Sequence, residues 1–292
     1  MPAPSDIVVT HPERVIDGDI TKGDVVAYYA DVAAVMLPEL RRRALTMERF
    51  TKGIAGGGFF QKHAQKHYPE WIERATLGGK TKVSYPVCDS AEALVYFANQ
   101  GGIAFHIWTS RVDTPTKPDV LVFDLDPPDG GFEMVRITAR LLERTLGELD
   151  LPAFVKTTGS KGLHVVAPLD GRDSYATIEK LAAAIAARLC TQHPELLTTE
   201  FYKKDRKGRL FFDTGRNMPG ATFVAPYSLR GKPGAPISAP LTWNEVDDPA
   251  LRPDGIKLRD FAERRAAVGD PWFGWRKHPG SVAKALAKLA KL

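Results

Sequence analysis

Residues Val120–Gly130 read VLVFDLDPPDG. An apolar run carries two aspartates, Asp124 and Asp126, and stops at Pro127-Pro128. In an extended strand, residues two apart point to the same face. Val120, Val122, Asp124 and Asp126 therefore share one side, and Leu121, Phe123 and Leu125 the other. A carboxylate removed from water without a partner is costly. Two side by side also repel, so one protonates unless a cation lies between them. A hard divalent cation with oxygen ligands removes that cost. The plainer reading of this stretch alone is a solvated strand end, and D-x-D occurs in several enzyme classes.

A third carboxylate stands in RLFFDTG, Arg209–Gly215, where Asp213 closes another apolar run. Alone it reads as a turn aspartate. Beside the first pair it completes a three-aspartate set suited to two Mg²⁺ or Mn²⁺ ions, which can activate a hydroxyl and steady a leaving pyrophosphate. TTGSKGLH, Thr157–His164, lies between two strand-like runs. Its glycines, Ser160 and Lys161 form a tight turn that can offer backbone N–H groups and a cation to a phosphate. It lacks Walker A spacing, and a hairpin with a surface lysine is the alternative. His164 is within reach of the same phosphates. Arg230, in PYSLRGK, follows a strand and carries a forked, permanent cation; a surface arginine is its plain reading. His106, in IAFHIW, reads first as a core histidine. Phe59-Phe60 follow Gly56-Gly57-Gly58 and precede Gln61-Lys62-His63. Adjacent phenylalanines cannot both face one core from a regular strand, so a loop-borne pair beside Lys62 suits stacking on bases. His63 and His67, four apart, read as a solvated helix face.

The bulk properties set the frame. The chain has 292 residues, 43% of them apolar and 26% charged, as in an ordinary soluble globular enzyme of one large or two small domains. No apolar run approaches the roughly eighteen residues of a spanning helix. MPAPSDIVVTHPERV lacks the order of a signal peptide, so a cytoplasmic protein is expected. Cys88 and Cys190 are too few for a disulfide framework or zinc site, and both read as core. The net charge is +5, but the basic residues cluster. KKDRKGR spans Lys203–Arg209, including Lys203, Lys204 and Arg206, and after Asp270 there is no acidic residue at all. Such clusters favour a polyanionic partner.

Thr21-Lys-Gly-Asp24 resembles a capping box opening a helix to about Arg42. Further helices are predicted over Phe132–Leu149 and from Asp173 or Ser174 to near Cys190. Strands are predicted at Ile103–Trp108, Val120–Asp126, Ala153–Thr157, Leu163–Pro168, Arg209–Thr214 and Ala221–Ala225. There is no strict βαβ rhythm and no repeat. GKPGAPISAP, Gly231–Pro240, reads as an extended loop. PWFGWRKHPG, after Asp270, reads as a peripheral aromatic-basic patch leading to a short Ala/Lys/Leu helix.

VFDLDP, TTGSKGLHVVAPL, FFDTGRN and APYSLRG, in this order, resemble the polymerase domain of bacterial non-homologous end-joining DNA ligase D, of the archaeo-eukaryotic primase superfamily. The resemblance runs from about Val8 to Val246. It implies an α/β (α+β) primase-type core with mixed and antiparallel sheets flanked by helices. One catalytic domain is expected over residues 1–270, with a basic, aromatic extension over 271–292. Asp124, Asp126 and Asp213 would hold two Mn²⁺ or Mg²⁺ ions. Ser160, Lys161, His164, Arg230 and His106 would bind the incoming nucleotide. Phe59 and Phe60, with Lys62 beside them, would stack on the template. Lys22 would hold the 5′-phosphate of the downstream strand, with Arg14 where a second lysine is expected. Lys203, Lys204 and Arg206 lie in a loop that engages template and ends. The implied activity is addition of one to a few nucleotides, preferably ribonucleotides, at gapped or broken DNA with a 5′-phosphate. DNA ligase and Ku are the implied protein partners. No ligase signature is present, so nick sealing is not expected, and the Lys/Leu-rich end reads as that of a stand-alone prim-pol. The rival readings are a non-catalytic DNA-end or gap-binding module that recruits a ligase, and a D-x-D phosphatase, which Pro127-Pro128 fits poorly.

Overall fold

In the computed structural model, which describes residues 6–79, 81–128 and 131–292, the run Val120–Asp126 is a strand with the expected bounds. Asp129 and Gly130 lie outside the described residues. The chain opens with β1 (Val15–Asp17), β2 (Ile20–Thr21), α1 (Lys22–Leu40), β3 (Leu45–Arg49) and β4 (Phe59–Gln61). There follow β5 (Arg74–Leu77), β6 (Val83–Pro86), α2 (Ala91–Asn99) and β7 (Gly102–Trp108). Next come β8 (Val120–Asp126), α3 (Phe132–Glu148), β9 (Phe154–Thr157), β10 (Leu163–Pro168) and α4 (Tyr175–Gln192). The last elements are β11 (Leu197–Thr198), β12 (Leu210–Asp213), β13 (Thr222–Val224), β14 (Pro240–Leu241), α5 (Trp243–Asp247), α6 (Phe261–Val268) and α7 (Val282–Leu289). Two compact units alternate along the sequence. The first holds Met1–Asp113, Thr222–Ala239 and Ile256–Gly269; the second holds Thr114–Ala221, Pro240–Gly255 and Asp270–Leu292. Among the described residues no helix is long and apolar enough to cross a membrane.

The second unit is built on a six-stranded mixed sheet of order β11-β12-β8-β10-β9-β14, with only β11 and β12 parallel. Helix α3 lies against β8 and β10, and α4 against β8. Val135, Ala139, Leu142, Leu146 and Leu149 form the buried stripe of the α3 segment, at the spacing a half-buried helix requires. Thr138 and Thr145 share it because their hydroxyls donate back to the carbonyls of Met134 and Leu141. Ser174 caps α4, its hydroxyl accepting from the Thr177 N–H. Cys190 does not reach the core as expected: it stands one residue off the stripe that ends in Leu189 and is half-buried, whereas Cys88 is fully buried.

The segment after Asp270 packs into this unit instead of lying peripherally. Trp272 and Trp275 are buried against Phe154, with ring centroids 6.1 and 5.6 Å away, and the Trp272 indole donates to the Val155 carbonyl. Gly280 forms a β-bridge to Leu169, and α7 rests on α4.

The first unit carries an antiparallel sheet of order β13-β7-β3-β4. Thr21 and Asp24 make the anticipated capping box on α1. The Tyr29 ring packs edge-on to Phe105 at 4.8 Å, and its hydroxyl accepts from the Leu229 N–H. Two expectations are corrected here. Residues 63–67 form no helix, so the His63–His67 spacing has no helical meaning. Phe59 and Phe60 are not on a loop: they lie in edge strand β4, paired with β3, and point to opposite faces. Both stay exposed, at 49% and 63%.

Candidate active site

Asp124 sits in a transverse row of the six-stranded sheet. Its cross-strand partners are Asp213 on β12 and His164 on β10, and His164 pairs in turn with Lys156 on β9. Directly opposed residues project from one face. Asp213, Asp124, His164 and Lys156 thus form a line of polar side chains across four strands. Asp126, two residues on, shares that face.

Asp124 is only 4% exposed. Its Oδ1 lies 3.2 Å from His164 Nε2, and its Oδ2 accepts from both Arg216 Nε and Nη2 at 2.9 Å. Burial works to raise the Asp124 pKa, but His164 and Arg216 outweigh it and hold the carboxyl well below the usual range. Burial and the neighbouring Asp124 charge push Asp126 up. Burial, then Lys156, push His164 down to about 4. The imidazole is therefore neutral near pH 7, and its Nε2–H serves as donor to Asp124. Burial disfavours the Arg216 cation, but Asp124, Asp213 and Asp126 together raise it.

The local chain explains how Arg216 arrives there. Asp213 Oδ1 accepts from the Gly215 N–H at 2.7 Å and turns the chain into a short helical turn, Gly215–Asn217. Buried Asn217 locks that turn to β8. Its Oδ1 accepts from the Val122 N–H at 2.9 Å, and its Nδ2 donates to the carbonyls of Val122 at 2.7 Å and Thr214 at 2.9 Å. The side chain replaces a strand partner where β12 has ended.

The β9–β10 turn is seated against the aspartates. A Cβ at Gly162 would lie 1.9 Å from the Leu125 carbonyl oxygen and 3.3 Å from Asp126 Oδ1, so only glycine allows this approach. Exposed Lys161 lowers the Asp126 pKa against the larger effect of burial. The expectation that the turn's backbone N–H groups are free for phosphate is corrected in part. Those of Ser160 and Gly162 donate to the buried Thr158 hydroxyl, at 3.2 and 3.1 Å.

In the first unit, Phe60 meets His106 edge-on at 5.5 Å, and Arg49 lies 5.6 Å from the Phe59 ring centroid. A cleft of about 570 Å³ beside them is lined by Arg49, Phe59, Phe60, Lys62 and His63. Glu48 is raised by burial and lowered by Arg230 and Lys232, which marks those cations as its neighbours. Lys22 is buried, its Nζ donating to the Thr10 carbonyl at 2.5 Å and hydroxyl at 2.8 Å. Arg14 donates to the Thr51 carbonyl at 3.2 Å. In the second unit Lys203 and Lys204 are exposed. Arg206 is engaged within its own loop, donating to the Glu200 and Phe201 carbonyls and covering the Phe211 ring at 4.2 Å.

Residues 21–272 match the model of the LigD primase-polymerase domain. The chain belongs to this family. Primase-polymerases of this kind are DNA-directed nucleotidyltransferases. The sequence is 38% identical to the multifunctional non-homologous end joining DNA repair protein LigD of Mycobacterium tuberculosis, covering 86% of this chain and 34% of that protein. It is 33% identical to the Pseudomonas aeruginosa LigD, covering 98% of this chain and 35% of that protein. It is 30% identical to the bifunctional LigD of Bacillus subtilis, covering 89% and 42%. The chain thus spans about a third to two-fifths of these relatives' length. A solved polymerase domain of M. tuberculosis Ligase D in complex with DNA superposes with a TM-score of 0.87 at 33% identity, covering 94% of this chain and 99% of that one.

Within this primase-polymerase fold, sequence reasoning passed over four residues of the row and its supports: Lys156, Thr158, Arg216 and Asn217. Arg216 and Asn217 stood in FFDTGRN, but nothing local showed that they reach back to β8. Among the described residues no three His, Cys, Asp or Glu side chains already converge to hold a metal. Arg216 supplies the positive charge at Asp124 instead. The donor set still fits a hard divalent ion: three carboxylates on one face, one held ionised and one raised by burial and by its neighbour's charge.

Proposed function

We propose that this domain is a template-directed polymerase. It would add one to a few nucleotides, preferably ribonucleotides, at short gaps or broken ends with a 5′-phosphate during DNA repair. The observation that carries the reading is the alignment of Asp124, Asp126 and Asp213 on one sheet face, with a buried histidine behind Asp124. Two divalent ions, Mn²⁺ or Mg²⁺, bound by these aspartates would supply activation of a primer 3′-hydroxyl and charge neutralisation at the triphosphate. The chain's own residues do the positioning. Neutral His164 orients Asp124 by hydrogen bonding, as outer partners of metal ligands do. Ser160 and Lys161, on the turn seated against β8, are assigned with Arg230 and His106 to the incoming nucleotide. Exposed Phe59 and Phe60, beside Lys62, offer stacking surface to template bases. Lys203, Lys204 and Arg206 are assigned to DNA, and Lys22 and Arg14 to a 5′-phosphate. DNA ligase and Ku are the proposed protein partners, in keeping with relatives named for end joining.

Primer extension on gapped DNA, with NTPs against dNTPs and Mn²⁺ against Mg²⁺, tests this reading. Asp124→Asn should abolish incorporation and leave gapped-DNA binding intact. Near-wild-type incorporation by that variant would refute it.

A further inference from the structure

The guanidinium of Arg216 places both Nε and Nη2 on one oxygen, Asp124 Oδ2, while His164 holds Oδ1. Both carboxylate oxygens are thus already engaged. The two partners differ in freedom. The His164 side chain is 4% exposed and rooted in central strand β10. The Arg216 side chain is 41% exposed and stands on a single helical turn. Its charge also interacts with Asp213 and Asp126. For Asp124 to offer Oδ2 to another cation, the guanidinium must leave. Its exposed side has room to do so, whereas the histidine is enclosed.

We infer that Arg216 is a resident counter-ion that occupies the Asp124 side of the carboxylate cluster in the metal-free protein and competes with the divalent ion for it. The inference rests on the proposed three-aspartate metal site and adds its regulation. With the guanidinium bound, the Asp124 charge is balanced and the repulsion within the carboxylate cluster is reduced without metal. Occupancy then requires exchange of one cation for another, which weakens apparent metal affinity by the strength of the ion pair. Once displaced, a side chain so close is a ready donor to the phosphates of a bound nucleotide.

Direct metal binding tests this without turnover. Mn²⁺ titrations followed by electron paramagnetic resonance should show Arg216→Gln binding about tenfold more tightly than wild type, the equivalent of about 1.4 kcal/mol of lost competition. Arg216→Lys, which keeps the charge but loses the fork, should fall between them. In the unaltered protein, the Arg216 Nε–H resonance should be protected without metal and lose that protection on Mg²⁺ saturation. Equal or weaker Mn²⁺ binding by Arg216→Gln, or an Nε–H signal unmoved by Mg²⁺, would overturn the counter-ion role while leaving the metal site standing. Asp124→Asn separates the two readings. If it and wild type bind Mn²⁺ alike, the three-aspartate site itself fails.

Discussion

Replacing Asn217 by alanine removes three hydrogen bonds from a fully buried position. Two of them satisfy the backbone N–H and C=O of Val122, a residue with no solvent exposure. Among the described residues no strand lies across from Val122 on that side, because β12 pairs with β8 only from Asp124 to Asp126. The alanine therefore leaves two buried backbone groups unsatisfied. Each such group costs about 1–3 kcal/mol, and the third bond, to the Thr214 carbonyl, is partly exposed and can be regained from water. About 3 kcal/mol of local stability should be lost, beside the strand that carries Asp124. Because the chain forms two units, a single melting curve mixes their transitions, and a local probe is preferable. Amide hydrogen exchange at Val122 should accelerate about a hundredfold, since each 1.4 kcal/mol is a factor of ten. Amides of the first-unit sheet should not change. A Val122 amide exchanging within about threefold of the wild-type rate would refute the view that Asn217 substitutes for a strand.

Three further outcomes follow from the same geometry. Because His164 falls to about 4 in the folded protein from an ordinary value near 6.5, the unfolded chain binds its proton first as pH drops; stability should be full above pH 6.5 and fall as pH goes from 6.5 to 4, by up to about 3 kcal/mol, and chemical denaturation of His164→Asn across that range should lack the slope. Gly162→Ala puts a methyl into the Leu125 carbonyl, which is backbone and cannot swing away; a loss of about 1–3 kcal/mol and nucleotide binding weakened roughly tenfold are expected, and unchanged values by calorimetry would show that the turn is not seated there. Lys22→Met should erase any preference for a 5′-phosphorylated over a 5′-hydroxyl gap in extension assays, with an unchanged preference excluding Lys22 from that role.

What the sequence made legible depended on periodicity and local chemistry. The bounds of β8 and β10 followed from apolar runs that end at proline, and the starts of α1 and α4 from Thr21 and Ser174. Three aspartates at strand ends were visible as candidates. Their common row was not, because it depends on the register Asp213↔Asp124↔His164, which no segment states by itself. Helix α2 is only nine residues long and was overlooked, although Ser90 caps it. His164 was read as a phosphate contact because its strand follows a glycine turn; its place beside Asp124 follows only from the register. Trp272 and Trp275 were read as a surface patch, since aromatic residues beside lysines look alike in solution and in a core edge. Their burial depends on Phe154 and the Val155 carbonyl, far away in the chain.

The buried tryptophans and the Gly280 bridge also carry a consequence for synthesis. The strands bearing the aspartates emerge from the ribosome first, but the second unit recruits β14, Trp272 and α7 afterwards. During translation the edge of β9 stays uncovered until β14 has been added, and Phe154 until Trp272 and Trp275 have been added. A nascent chain stalled before Asp270 should therefore bind a chaperone where a chain carrying Trp272, Trp275 and α7 does not, and this sheet would be complete only once those residues have joined it.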